Sequence, residues 1–139
     1  MFKIFRSLIP ILSLVMVCSC KKLIEDKKRD LLTTIVTDGT WYVDEFMEGS
    51  ATITEQFDGF GFHFTEDGFV VAAKGSDSLT GSWVGNIQNY TINANFQGAS
   101  DPLKKLNGTW KVIDSSVTTV EAEMGITPDK KILHLKKKS

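Results

Sequence analysis

Side chains able to take part in catalysis are few in this sequence, and their spacing does not suit a reaction. His63 and His134 each stand among apolar residues that alternate with them. In a β-strand this alternation puts the imidazole on the face opposite to the apolar one, so we expect both histidines on the outer surface. The acidic pairs Asp44-Glu45 and Glu66-Asp67 place their members on opposite faces of a strand or in a turn, which does not suit acid and base catalysis on one substrate. Because no Ser, His and Asp set has a local catalytic signature either, we expect no catalytic residue and no enzyme activity.

The cysteines are the other reactive side chains, and both of them lie in the first 20 residues. With no further cysteine and only two histidines, neither a structural zinc site nor a disulfide framework is expected. We therefore predict no metal and no cofactor for the domain that follows.

The N-terminus has the order of a secretory signal. Lys3 and Arg6 precede an apolar run over residues 8–17. This run is shorter than the roughly 20 apolar residues that a membrane-spanning helix needs. We predict a signal peptide over residues 1–19, which leaves a mature chain of 120 of the 139 residues.

The end of this signal resembles the lipobox of bacterial lipoproteins. In Val17-Cys18-Ser19-Cys20 an aliphatic residue stands three before the last cysteine and a small residue directly before it. The resemblance implies that Cys20 is diacylated and that its acyl chains hold the domain on a membrane. The alternative is an ordinary cleaved signal followed by an accidental cysteine.

The residues after Cys20 bear on the location of such a lipoprotein. Lys21 stands where an aspartate would mark inner-membrane retention, and no acidic run follows Cys20. By this resemblance we expect an outer-membrane lipoprotein of the cell envelope on the periplasmic face. Residues 20–30 are predicted to form a solvated tether, because Lys21 to Asp30 carry five basic and three acidic side chains.

Charge and composition limit the partners of the mature domain. Removal of Lys3 and Arg6 leaves 14 basic against 17 acidic residues, a net charge of −3. Nucleic-acid binding is not expected, because phosphate contacts need clustered basic side chains. A mature chain of this length corresponds to one domain with one modest core.

After the tether the hydrophobic pattern is first helical. Leu31, Leu32, Ile35 and Val36 stand at helical spacing, which predicts one or two turns that end near Asp38-Gly39. We place the start of the folded domain, residues 31–139, at this short helix.

From residue 40 onward apolar and polar residues alternate, and turn residues separate the runs at short intervals. The pattern predicts eight strands, at residues 40–48, 53–65, 69–74, 78–85, 88–97, 108–114, 117–124 and 131–137. Slips in the alternation between Val43 and Phe46, and between Phe57 and Phe60, are interpreted as β-bulges. We predict an all-β fold, a small antiparallel up-and-down β-barrel of about eight strands with a short N-terminal helix; a sandwich is the alternative.

All three tryptophans follow a glycine and a small hydroxyl residue, in Gly39-Thr40-Trp41, Gly81-Ser82-Trp83 and Gly108-Thr109-Trp110. Glycine lets the backbone approach another segment closely at the start of a strand, and the indole two residues later can close a barrel end. We predict this barrel-closing role for Gly39, Trp41, Gly108 and Trp110.

A Gly-x-Trp motif directly after a short helix resembles the start of the lipocalin superfamily. Together with the lipobox, the lysine-rich tether and a final Leu-x-Leu, residues 31–137 resemble the lipocalin-like domains of bacterial lipoproteins of the Bacteroidota type. The resemblance implies a calycin-like barrel that binds a small hydrophobic ligand. The arginine that packs over the first tryptophan of lipocalins has no counterpart here, because Arg29, the one arginine of the mature chain, precedes the motif.

The aromatic residues of the middle strands are the candidate ligand site. Those predicted to line a pocket are Phe60, Phe62, Phe64, Trp83, Tyr90 and Phe96. A barrel of eight strands either fills its interior or holds one small ligand, so a filled core, a small apolar cavity and an exposed aromatic face remain as alternatives. We expect a membrane-anchored lipoprotein that binds or carries a small hydrophobic molecule; the alternative is a filled barrel acting as a protein-interaction or envelope-accessory module.

Overall fold

The computed structural model of the protein describes residues 18–139. The predicted signal sequence, residues 1–19, lies outside the described residues except for its last two. The described chain contains one α-helix, nine strands and two 3₁₀ helices. Their bounds are α1 Cys18–Thr37, β1 Trp41–Glu48, β2 Ala51–Thr52, a first 3₁₀ helix Thr54–Phe57, β3 Gly61–Phe64, β4 Phe69–Lys74, β5 Asp77–Asn86, β6 Thr91–Asn95, a second 3₁₀ helix Leu103–Leu106, β7 Gly108–Ser115, β8 Thr119–Met124 and β9 Lys131–Lys137.

The strands form a closed barrel. The sheet order is β2-β1-β3-β4-β5-β6-β7-β8-β9, and β9 pairs back onto β1, with every pairing antiparallel. Strand β2 is a short addition to the last residues of β1, so eight strands make the wall. The prediction of a small antiparallel up-and-down barrel of eight strands with an N-terminal helix is confirmed.

The strand pairing of the barrel wall is shortest between β1 and β3. These strands are joined by the single pairing of Trp41 with Phe62, whereas β9 pairs along the whole of β1. Beyond Trp41 the space beside β1 is taken by β2 and the first 3₁₀ helix. Closure therefore depends on the β1–β9 pairing more than on the β1–β3 pairing.

The two predicted bulges have different outcomes. The register of β1 against β9 shifts between Val43 and Glu45, so the first interpretation is confirmed. The second, near Phe57, is wrong, because residues 54–57 form a 3₁₀ helix instead of continuing a strand over residues 53–65. Phe57 enters the core at the end of the barrel, where its ring stacks on Phe46 at a centroid distance of 4.9 Å. Because Phe57 does not belong to a strand, its burial does not follow strand alternation.

Helix α1 is longer than predicted. It begins at Cys18 and continues through the predicted tether to Thr37, so residues 20–30 are helical. Lysine, arginine, leucine and glutamate are good helix formers, and a charged segment can be solvated without being extended. Described side chains from Lys22 to Leu31 are exposed, whereas Val36 is buried. No helix in the described part of the chain is both long enough and apolar enough to cross a membrane.

The two ends of the barrel are closed by different elements. At the end where β1 begins, called the helix end, α1 lies against the barrel through its last turns. At the other end, called the plug end, the second 3₁₀ helix buries Leu103 and Leu106 in the opening. No polar or charged side chain of the described residues is buried, so the interior is apolar throughout.

Candidate functional site

The interior of the barrel is nearly filled. A void of about 60 Å³ remains among side chains of the wall and the plug end. Ligand pockets commonly have volumes of about 300–1,000 Å³. The interior alone is therefore too small to serve as a ligand chamber.

A second cavity, of about 330 Å³, lies at the helix end between α1 and the ends of strands β5 to β8. Its roof is formed by Leu32, Ile35 and Val36 of α1. Its floor and walls are mainly apolar and include Trp83, Ile92, Val112, Val117 and Val120. We call this space the helix-end cavity, and its volume falls in the range of small-molecule sites.

The two cavities are adjacent. Ile92 and Val120 line both the helix-end cavity and the void inside the barrel. The space beneath α1 and the interior of the barrel therefore share a boundary at these two side chains.

Polar groups stand at the edge of the helix-end cavity. Asn86 accepts hydrogen bonds from the backbone N–H groups of Gln88 and Asn89, at 3.0 and 3.1 Å, so its carbonyl oxygen is used in building a turn. Ser116 likewise accepts from the backbone N–H groups of the following turn. Arg29 of α1 is the one charged residue among the described residues that line the cavity. A ligand with an anionic end would meet its guanidinium there.

The six residues predicted to line one pocket are divided between the two cavities. Phe62, Phe64 and Phe96 line the interior void, and Trp83 and Tyr90 line the helix-end cavity. Phe60 lines neither cavity; it stacks on Phe62 at 6.2 Å and lies beneath Lys74, whose Nζ is 5.2 Å from the ring centre. Strand alternation predicts which face a residue occupies but not its height along the barrel, and this is why the set divides.

Trp83 and Tyr90 differ in how they are held. The Trp83 indole Nε1 donates to the carbonyl of Thr65 at 2.9 Å, and its ring meets Phe64 edge-to-face at 5.5 Å. Tyr90 is 57% exposed and has a positive φ of 53°. The expectation that Tyr90 points inward from a strand is wrong, because β6 begins one residue later and Tyr90 lies in the preceding turn.

Sequence reasoning missed the roof of the cavity. The signal was present, since Leu32, Ile35 and Val36 stand at the i, i+3, i+4 spacing of one helix face. That spacing predicts a buried face but does not show what the face covers. Arg29 was noted only for its position before the Gly-x-Trp motif.

The C-terminal end of α1 is tied to the barrel by side-chain donors. The Trp41 indole Nε1 donates to the carbonyl of Val36 at 2.9 Å, and Lys137 Nζ donates to the carbonyl of Ile35 at 3.2 Å. Lys137 also pairs with Asp38 at 3.2 Å. A cation at this position interacts favourably with the partial negative charge of the helix C-terminus.

Lys137 has a further contact that the sequence did not indicate. Its Nζ lies 5.0 Å from the ring centre of Trp41, within the range of a cation–π interaction. A cation therefore does pack over the first tryptophan, although no arginine is placed to do so. A lysine from the last strand provides it.

Both Gly-Thr-Trp segments use the same local arrangement. The Trp110 indole Nε1 donates to the carbonyl of Leu106 at 2.8 Å, as Trp41 does to Val36. Gly39 has φ +75° and Gly108 has φ +126°, and at Gly108 a Cβ atom would stand 2.6 Å from Met124 Sδ. Each glycine thus allows a short return from a helix into a strand, and each tryptophan fastens the strand to that helix.

The histidines lie on the outer face of the barrel. The exposed His63 donates from Nδ1 to the carbonyl of Gly39 at 3.0 Å, and His134 Nε2 stands 3.5 Å from a carboxylate oxygen of Glu121. Within residues 18–139, no three His, Cys, Asp or Glu side chains come together as a potential metal site.

Comparisons with known proteins support the fold. No protein-family model and no curated protein matches this chain. Among solved structures, a DUF4847 family protein from Bacteroides vulgatus has a TM-score of 0.56 at 15% identity, over 78% of this chain and 99% of that one. A protein from Bacteroides eggerthii has a TM-score of 0.52 at 12% identity, over 72% of this chain and 98% of that one. The chain therefore shares its barrel fold with a DUF4847 family protein of Bacteroides.

Proposed function

We propose that this protein is an outer-membrane lipoprotein that binds or carries a small apolar molecule in the helix-end cavity. The observation that carries the proposal is the cavity itself, about 330 Å³ of mainly apolar space between α1 and the barrel. Burial of apolar surface there is worth about 25 cal/mol per Å² removed from water, before the costs of association are subtracted.

The size and lining of the cavity favour a ligand of modest size. Its volume is near the lower end of the usual range, which suits a single chain or ring system more than a lipid with two acyl chains. The lipocalin-like sequence features agree with a ligand of this class. Arg29 at the edge favours a ligand whose polar end is anionic.

A filled barrel that acts as a protein-interaction or envelope-accessory module is the second candidate. The observation in its favour is the small interior void, about 60 Å³. In this case the helix-end cavity would be a packing gap beneath α1, and it would bind no apolar probe.

A pair of identical substitutions separates these two candidates. Val112 lines the helix-end cavity, whereas Val84 is exposed on the outer face of β5. With full-length protein and an apolar fluorescent probe such as N-phenyl-1-naphthylamine, Val112→Phe should weaken probe affinity by about tenfold, because the added ring occupies the cavity. Val84→Phe should leave the affinity unchanged. Equal affinities of the two variants, or no probe binding by the wild type, would overturn the ligand-binding proposal and favour the filled module.

Anchoring through Cys20 is tested separately by intact mass spectrometry of protein extracted from membranes. We expect a mature N-terminus at Cys20 that carries the added mass of a diacylglyceryl group, which two or three acyl chains make nearly irreversible as an anchor. Cys20→Ala should abolish the added mass, and Cys18→Ala is the matched control that should retain it. A mature N-terminus elsewhere would contradict the proposal.

A further inference from the structure

The exposed large apolar side chains are gathered at the helix end of the molecule. Ten such side chains are exposed in the part of the chain that the structure describes, and nine of them lie on α1, in a turn at the helix end, or within three residues of the helix-end terminus of a strand. Only Ile126 lies at the plug end. A concentration of exposed apolar side chains at one end of a molecule points to an interaction surface at that end.

Two of these residues belong to the candidate site. Tyr90 and Val117 are 57% and 63% exposed, and both also line the helix-end cavity. The cavity therefore opens onto the exposed apolar surface. Whatever covers this surface also faces the mouth of the cavity.

Helix α1 also exposes apolar side chains. Its exposed residues Ile24 and Leu31 are seven apart and so lie on one helix face, and position 20 precedes Ile24 by four. Lys27 and Lys28 are exposed and stand three and four residues after Ile24, so they lie on this face between Ile24 and Leu31. A helix face that combines apolar and lysine side chains suits the interface of an anionic bilayer, because the long lysine stems bring their ammonium groups to the head groups.

The proposed anchor joins the barrel through the same helix. The anchoring proposed for Cys20 would place lipid at the first turn of α1. Basic side chains outnumber acidic ones by five to three over Lys21 to Asp30. Lysine and arginine side chains close to an anionic leaflet are attracted to its surface charge.

We propose that the helix end of the barrel docks on an anionic phospholipid leaflet, with α1 in the interface and Tyr90 and Val117 at the level of the head groups. The inference rests on the proposed anchoring, and it adds the orientation of the barrel and the direction from which an apolar ligand reaches the cavity. Tyrosine at the head-group level is characteristic of membrane interfaces. The ligand then passes between leaflet and cavity without crossing water.

Tryptophan reporters at the two ends test this orientation. The Tyr90→Trp and Ile126→Trp proteins, processed in cells and extracted from membranes, are reconstituted in vesicles of phosphatidylethanolamine and phosphatidylglycerol, with and without bromine on the acyl chains. Both sites are exposed and apolar, and the native tryptophans give the same background in each variant. Because docked side chains reach about 5–10 Å into the head-group boundary, the tryptophan at position 90 should be quenched at least about twofold more than the one at position 126. Val117→Trp is a second reporter for which we expect the same result.

The outcomes separate docking from anchoring. Protein that floats with the vesicles but is quenched equally at the two positions overturns the docking and leaves the anchor in place; protein that does not float overturns both. The docking would also be overturned if a second copy of the chain covered this end. In that case the tryptophan at position 90 would not be quenched, and sedimentation would show a dimer. With phosphatidylcholine as the sole lipid the difference should shrink, and an undiminished difference would overturn the role of the lysines.

Discussion

The two ends of the barrel are closed by the same local motif with different results. At each end a helix leads through Gly-Thr-Trp into a strand, and the tryptophan indole donates to a carbonyl near the end of that helix. At the plug end the helix is four residues long and buries both of its leucines inside the opening. At the helix end the helix has 20 residues and leaves a cavity of about 330 Å³ beneath it.

Helix length explains this difference. A single turn can enter the mouth of a barrel of eight strands, where Trp110 also meets Phe46 edge-to-face at 5.9 Å. A helix of 20 residues is about 30 Å long, which exceeds the opening of such a barrel, so α1 lies across it. The second 3₁₀ helix therefore fills its end of the barrel, whereas α1 covers the other end and leaves the helix-end cavity beneath it.

The largest expected effect comes from removing either tryptophan. Trp41 and Trp110 are 1% and 3% exposed, so Trp41→Ala and Trp110→Ala should each lower the free energy of unfolding by about 3–5 kcal/mol in urea titrations. The comparison of the two ends predicts a further difference. Trp41→Ala should also weaken binding of an apolar probe, since it releases the roof, whereas folded Trp110→Ala should bind the probe as the wild type does. Near-wild-type stability of Trp41→Ala would contradict its place in the core.

A smaller effect is expected from Lys137, which ties the roof down. Lys137→Met keeps the alkyl chain but removes the hydrogen bond to Ile35, the pair with Asp38 and the charge over Trp41. We expect a loss of about 1–2 kcal/mol in the free energy of unfolding, together with faster hydrogen exchange in the last turns of α1. Lys138→Met, at the exposed neighbouring residue, is the control and should change neither measurement. Unaltered exchange in α1 for Lys137→Met would mean that the roof is held by other contacts.

The smallest effect is expected at the edge of the cavity. Arg29→Gln should weaken binding of an anionic fatty-acid probe by up to about fivefold, since the side chain is exposed and its charge is screened. The affinity for a neutral apolar probe should not change. Lys28→Gln, one residue away but not in the cavity lining, is the matched control. An equal loss for neutral and anionic probes would show that Arg29 acts through packing alone.

The wall of the barrel could be predicted well from alternation, because each strand has one face in the core and one in water. Seven of the eight predicted strands have close counterparts in the structure, and the bulge near Val43 is confirmed. The segment over residues 53–65 could not be predicted in this way. A 3₁₀ helix places Phe57 in the core at the end of the barrel. Residues that enter the core there do not alternate with a period of two, as residues of a strand do.

The candidate site was less predictable than the wall. Alternation correctly placed Phe62, Phe64 and Phe96 in the interior. It could not show that these rings fill the interior, since packing density depends on how facing strands are staggered. The helix-end cavity depends on where α1 lies across the opening, and that position is set by Trp41 and Lys137, which are distant from one another in sequence. The identity of the ligand and the anchoring through Cys20 stay predictions.

The continuity of α1 fixes the rotation of the proposed anchor at Cys20 relative to the helix-end cavity. Position 20 and Leu32 lie on one uninterrupted helix, about 18 Å apart along the axis at 1.5 Å per residue. With a flexible linker the barrel would reorient freely relative to the proposed anchor, whereas a continuous helix fixes the orientation of one relative to the other. Each residue inserted between the two positions would turn the roof by about 100° relative to position 20, the proposed lipidation site, and seven inserted residues, about two turns, would bring the two nearly back into register.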